Sequence, residues 1–237
     1  MESTGPLQKL FTYTVNTVEN FWLQYFYLVG VRRENKELRK QVQRLMLENT
    51  RYRELLSTYQ RLQALLKFKQ TFNQPAVAGR VIGRDPSGWF RSIIVDKGQQ
   101  DGIAMDMPVV NAQGVVGRIV STSPHYSKVL LIIDQNSSVD CLIQRSRYRG
   151  MVKGVSEDLC KVAYIVKSSD VRQGDVVVTS GLGGVFPKGL PLGTVTKVEE
   201  RAGELFKEVE MRPAVDFSRL EEVLIILKKH TAFEQHQ

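Results

Sequence analysis

The sequence predicts a mostly β protein with a long N-terminal α-helix: a coiled coil followed by two small antiparallel β-barrels. Three observations lead there. Apolar residues repeat every 3.5 positions from Leu28 to Leu66, the period changes to 2 after Pro75, and the later segments are separated by Gly-rich turns with no helical pattern between them. The limits that follow are an aromatic amphipathic segment at 1–27, a dimeric coiled coil at 28–72, a first barrel at 73–149, a second barrel at 150–229 and a disordered tail at 230–237.

In the helix, the a positions are Leu28, Asn35, Val42, Asn49, Leu56 and Gln63, and the d positions are Val31, Leu38, Leu45, Tyr52, Tyr59 and Leu66. A strict 3.5-residue repeat of this length keeps one stripe facing a partner helix, whereas a straight lone helix would drift out of register. Asn at a is tolerated when it meets an Asn across the seam, so Asn35 and Asn49 fix a parallel two-stranded register. Glu34 at g then faces Arg39 at e of the partner, and Glu48 faces Arg53. Each such exposed pair contributes a few tenths of a kcal/mol, enough to select a partner and too little to hold it. The reading is a parallel homodimer. Beyond Leu55 the apolar face widens to take in Leu62, Leu65 and Phe68, more than two strands need, so the helix end is expected to pack on the domain that follows. Pro75 stops the helix, since it lacks the N–H and pushes its predecessor toward extended geometry.

Twelve short strands are expected after that point, punctuated by turns such as Asp85-Pro86-Ser87-Gly88, Asn111-Ala112-Gln113-Gly114 and Pro187-Lys188-Gly189. Their spacing fits a barrel or sandwich rather than a βαβ fold. A faint internal echo relates Gly102, Pro108-Val109-Val110 and Gly117 to Gly174, Val176-Val177-Val178 and Gly193, which points to two related barrels divided near Arg149.

Charge is unevenly placed. The net charge is +8, yet residues 31–69 hold eleven Lys/Arg against four Asp/Glu, so nearly all of the excess sits on the helix. A basic coiled-coil nucleic-acid binder is therefore the alternative reading. Against it, a bZIP places its basic block ahead of the zipper, whereas Arg32, Arg39, Arg44, Arg51 and Arg53 lie within the heptads. No run reaches the ~20 apolar residues that cross a bilayer, and no signal peptide precedes the helix. The aromatics Phe11, Tyr13, Phe21, Trp22, Tyr25, Phe26 and Tyr27 have two readings, a membrane-interface belt or a face packed on a partner helix.

Candidate chemistry is sparse. His230 and His236 fall in the tail, His125 lies in the loop Ser123-Pro124-His125-Tyr126, and Ser180 lacks a nucleophile elbow. Gly181-Leu182-Gly183-Gly184-Val185-Phe186 is no dinucleotide fingerprint, because Phe186 takes the third Gly position and no βαβ unit surrounds it. Cys141 and Cys160 sit in alternating apolar runs and read as buried thiols, with a bridge left open. No cofactor, metal or catalytic residue is expected. Gly181, Leu182, Gly183, Phe186 and Lys188 form a candidate partner-contact loop, since Gly-rich loops on rigid β scaffolds often carry function; a plain strand connection is the alternative.

Several runs resemble the rod shape-determining MreC family. They are Arg33-Glu34-Asn35-Lys36-Glu37-Leu38, Gly79-Arg80-Val81-Ile82, Trp89-Phe90-Arg91-Ser92, Asp96-Lys97-Gly98, Asp101-Gly102-Ile103, Gly114-Val115-Val116-Gly117-Arg118-Ile119, Asp134-Gln135-Asn136-Ser137-Ser138 and the stretch from Gly181 to Gly193. The resemblance runs from about residue 20 to about residue 228 and rests on the order and density of these runs. It implies a protein anchored by a single pass in the bacterial inner membrane, with its bulk in the periplasm and residues 1–27 juxtamembrane. It implies two barrels arranged like the halves of a chymotrypsin-type protease without the catalytic residues. The implied role is a non-enzymatic scaffold of the cell elongation machinery that binds and activates peptidoglycan synthases. The implied partners are a class B penicillin-binding transpeptidase, RodA, MreD and MreB, with homodimers that in some members extend into filaments. No nucleic acid is among them. Family members carry an N-terminal membrane helix, and this sequence begins where that helix is expected to end.

Overall fold

The computed structural model describes residues 5–70, 74–86, 89–201 and 203–227, with side chains described from Arg32 onward. The aromatic segment, the seam positions Leu28 and Val31 and the tail 230–237 lie outside those side chains. Two compact units are present, Met1–Tyr59 and Gln60–Gln237. The first is helical throughout its described part. It belongs to α1, Gly5–Gln70, in which no Pro interrupts the ladder after the first turn. The described seam residues Leu38, Val42, Leu45, Tyr52, Leu56 and Tyr59 are between 47% and 66% exposed in the single chain, and Asn35 and Asn49 are exposed with them.

The second unit holds the last helical turns and twelve strands, each coinciding with one of the twelve expected from alternation. They are β1 Ala76–Arg84, β2 Ser92–Val95, β3 Pro108–Val110, β4 Val115–Thr122, β5 Ser127–Leu131, β6 Ser138–Ile143, β7 Arg149–Gly154, β8 Cys160–Val166, β9 Val176–Thr179, β10 Pro191–Glu199, β11 Phe206–Pro213 and β12 Glu222–Ile226. They close into two six-stranded antiparallel barrels, ordered β1-β12-β3-β4-β5-β2 and β10-β11-β8-β7-β6-β9. Closure leaves no free sheet edge for edge-to-edge aggregation.

Shifting every label of the first barrel by six reproduces the second, with one exception. The strand that closes the first barrel is β12 and the strand that closes the second is β6. The two halves of the sequence have exchanged their sixth strands. A division at Arg149 therefore falls between the sequence halves and not between the barrels: β6 pairs with β7 and β9, while β12 returns to pair with β1 and β3. Exchange ties the barrels together, and a single hydrophobic cluster runs through both, from Val95, Val109 and Ile119 to Val162, Val177 and Met211.

The internal echo is real, with one correction of register. Val109 stands opposite Gly117 and Val177 opposite Gly193. The Ile119 N–H donates to the Met107 carbonyl as the Val195 N–H donates to Asp175, and the Asp106 N–H donates to Ile119 as Gly174 does to Val195. Asp106, at φ +59°, is thus the counterpart of Gly174, at φ +89°; Gly102 is not. Asp is among the few L-residues that adopt this conformation readily. At Gly117 and Gly193 a Cβ would collide with the backbone carbonyl of Leu130 or Arg212 on the neighbouring strand, so both positions need glycine.

Between the barrels, the chain passes through Asp134, which is buried and accepts hydrogen bonds from the Arg91 N–H at 2.6 Å and the Asn136 N–H at 2.7 Å. The Arg91 guanidinium donates to the Ile133 carbonyl at 2.7 Å. The carboxylate thus has charge-assisted partners, and a hydrophobe at the same turn would leave the Arg91 and Asn136 N–H groups without this acceptor.

Candidate interaction surfaces

An exposed aromatic cluster on the second barrel begins with a local defect in pairing. Ile165 pairs with Lys207 and Val162 with Val209, so Ala163 and Tyr164 together face the single residue Glu208. This is a β-bulge. Cys160, Val162 and Ile165 point inward, and without the extra residue Ile165 would turn to solvent. Tyr164 sits at φ +65°, a conformation that costs an L-residue about 1–2 kcal/mol. The residue is 54% exposed, and its ring meets Phe206 edge-on, with centroids 5.7 Å apart and planes at 89°. Lys153 Nζ lies 5.4 Å from the Tyr164 ring centroid. Val166, paired with Phe206, and Leu205 extend the apolar surface. Beneath it, Glu208 is held below its usual carboxylate range by Lys161, whose Nζ is 2.7 Å away, with Arg201 adding to the effect. The sequence contains a signal for this site that period-2 reading passed over: the apolar spacing Cys160, Val162, Ile165 is two and then three.

The Gly181–Gly189 loop turns out to face the first barrel along part of its length. Gly181, Gly183, Val185 and Phe186 line a cavity of about 150 Å³ with Arg118 of β4 and Asp140 of β6. Phe186 packs against the hydrophobic cluster, while Leu182 and Lys188 point to solvent. The loop is fastened at its base: the Thr179 hydroxyl donates to the Pro187 carbonyl at 2.5 Å and accepts from the Leu190 N–H at 2.9 Å. Of the five expected contact residues, Gly181, Gly183 and Phe186 line this cavity; all but the half-buried Phe186 are exposed.

The last turns of α1 dock on the first barrel. Leu65 is 5% exposed and Phe68 packs on the same cluster, as the widened apolar face predicts, whereas Leu62 stays half exposed. Arg61 Nη2 lies 2.7 Å from Glu221 and its Nε 2.9 Å from Glu222. Arg61, Leu65 and Phe68 occupy f, c and f of the heptad, opposite a and d, so docking leaves Leu66 outward.

A second polar knot pins the β6–β7 turn to the β8–β9 loop. Arg145 reaches Asp175 through Nε at 2.8 Å and Nη2 at 2.9 Å, and Asp170 through Nη1 at 2.6 Å. The guanidinium holds both carboxyls below their usual range, and the Arg172 side chain at 2.8 Å adds to this at Asp170. His125 is exposed in the β4–β5 turn, and the Ser180 hydroxyl is buried accepting the Leu182 N–H at 3.2 Å, so it caps a loop. Cys141 and Cys160 are free and buried, and burial pushes both thiols up to about 12, where the reactive thiolate is scarce at neutral pH. Among the described residues no group of three or more His, Cys, Asp or Glu converges as a metal site, and no helix is long and apolar enough to cross a membrane.

The sequence model of one family, "Rod shape-determining protein MreC, barrel core", matches residues 81–227, more than half of the chain. The chain belongs to the MreC family. The cell shape-determining protein MreC of Escherichia coli is 31% identical over 201 residues, covering 81% of this chain and 53% of that protein. A solved MreC structure superposes with a TM-score of 0.70 at 31% identity over 73% of this chain and 98% of its own. MreC from Helicobacter pylori, solved in complex with penicillin-binding protein PBP2, shares the fold at a TM-score of 0.53 and 18% identity over 65% of this chain and 100% of its own. The chain spans 55% and 53% of the lengths of the Haemophilus influenzae and Escherichia coli proteins, and 82% of the Bacillus subtilis one.

Proposed function

We propose that this chain is a non-enzymatic scaffold of the rod-shape system. Its coil pairs two copies through Leu28, Val31, Asn35, Leu38, Val42, Leu45, Asn49, Tyr52, Leu56, Tyr59 and Leu66. Each second barrel presents its aromatic surface to a class B penicillin-binding transpeptidase. The observation that carries this reading is the Tyr164–Phe206 surface: at a bulge whose left-handed residue keeps Ile165 in the core, two rings meet edge-on at the surface of the barrel beside Lys153. Exposed aromatics such as Tyr164 have the composition of binding hot spots. Membership of the family and the PBP2–MreC complex from H. pylori support the class of partner.

Activation works by selection. A scaffold shifts the enzyme between conformers by no more than the difference in its affinity for them. The setting is the periplasmic face of the inner membrane, with RodA, MreD and MreB in the same assembly and filament growth as an extension of the dimer. Leu182 and Lys188 form a second contact point on the same barrel. The test is titration of the chain, and of the double variant Tyr164→Ser with Phe206→Ser, against the transpeptidase's periplasmic region. Binding and a raised rate of peptide crosslinking that the variant loses support the proposal. Equal affinity for both proteins refutes the surface, and no binding by either refutes the partner.

A further inference from the structure

The helix between Arg32 and Lys40 segregates its charges by face. With 3.6 residues per turn, Arg32, Arg33, Lys36, Arg39 and Lys40 fall within an arc of about 120°, while Glu34 and Glu37 fall outside it. All five cations are exposed, and among the described residues none lies within salt-bridge distance of a carboxylate. Further along, Arg44 pairs with Glu48 and Arg61 with Glu221 and Glu222. Arg32, Lys36 and Lys40 are stacked at successive i,i+4 spacings, an arrangement of like charges that destabilises a helix. A helix that keeps such a ladder without counter-charges of its own is built to meet them elsewhere.

We propose that this cationic face binds the anionic headgroups of a lipid surface. Two observations select lipid over other polyanions. The arc lies to one side of the a/d stripe, so in the dimer Arg33, Lys36 and Lys40, at f, b and f, face outward, while Arg32 and Arg39, at e, flank the seam. Immediately before it the same helix carries Phe21, Trp22, Tyr25, Phe26 and Tyr27, and aromatics followed by a basic face are the composition of a membrane-interface segment. Attraction of this kind acts within a screening length of ~8–10 Å and is reduced by salt. The proposal is independent of the transpeptidase reading and stands or falls separately.

The test is co-sedimentation of the full chain with phosphatidylcholine vesicles, with and without phosphatidylglycerol. The variant Arg32→Gln, Arg33→Gln, Lys36→Gln, Lys40→Gln keeps helix-forming residues and leaves Arg39 to its seam partner. At roughly fivefold per basic residue, it should lose two orders of magnitude or more in binding to the anionic vesicles, and the wild-type binding should weaken as salt rises. A charge-keeping variant, Arg32→Lys with Arg33→Lys, should bind as the wild type does and so separates charge from folding. Equal binding by wild type and the Gln variant, or wild-type binding indifferent to phosphatidylglycerol, overturns the proposal. Tighter salt-dependent binding to duplex DNA than to the anionic vesicles overturns it too.

Discussion

Replacing Tyr164 with Gly separates stability from recognition. The backbone at φ +65° is free for Gly and costs Tyr about 1–2 kcal/mol. The ring in return gains an edge-to-face contact with Phe206, worth ~0.5–1.5 kcal/mol, and a half-solvated cation–π contact with Lys153, worth ~0.5–1 kcal/mol. These nearly cancel, so Tyr164→Gly should leave the unfolding free energy within about 1 kcal/mol of wild type. Tyr164→Ala loses the ring and keeps the strain, and should be less stable than the Gly variant by about 1 kcal/mol. Partner binding should fall equally in both, by roughly 30-fold or more if the ring is a hot spot of ~2 kcal/mol. Urea unfolding gives the first quantity and titration calorimetry with the transpeptidase region the second. A Gly variant that loses more than ~2 kcal/mol of stability while binding normally would show that Tyr164 serves the fold, and the reasoning from strain to contact would fail.

Three further outcomes follow from named contacts. Asn49→Leu should raise the thermal stability of the coil and loosen its preference for two strands, so that sedimentation shows species beyond dimer. Arg61→Ala leaves Glu222, whose side chain is 13% exposed, without its partner, and should lower stability by about 1–2 kcal/mol, a fall in Tm of roughly 2–8 °C. Acid should act through the Arg145 knot. Asp170 and Asp175 are depressed in the folded state by Arg145, so their contribution is present above the ordinary value of 3.8 and is lost as pH falls below it. Asp175→Asn should therefore be less stable than wild type at neutral pH and show a flatter loss of Tm below about pH 4, where the remaining carboxyls alone respond.

The strands were legible because each barrel strand has one face in the core and one in water, and that alternation is local. The pairing order was not. Nothing in the residues of β6 distinguishes closing its own half from closing the other, since both halves offer the same pattern of neighbours, and the choice is settled by long-range contacts such as Leu224 with Val110 and Ile226 with Ala76, for β12 against β3 and β1. The echo between halves was visible but one landmark was misaligned, because Asp106 does with a left-handed backbone what Gly174 does, and a search for glycine overlooks it. Tyr164 was missed for a related reason. A bulge interrupts period 2 and looks like noise until Val209 and Lys207 are seen to pair with Val162 and Ile165. The docking of Leu65 and Phe68 was legible, since a two-stranded seam has no use for apolar residues at c and f.

The central claim is that the helix assembles the protein and the barrels present it. Sedimentation equilibrium of the whole chain beside a chain beginning at Gln60 tests this most directly, because Gln60–Gln237 is a compact unit that retains the docked turn with Arg61, Leu65 and Phe68. The whole chain should be a dimer and the shorter one a folded monomer. A monomeric whole chain would show that the stripe through Asn35 and Asn49 is not a seam, and a shorter chain that still associates would place assembly in the barrels.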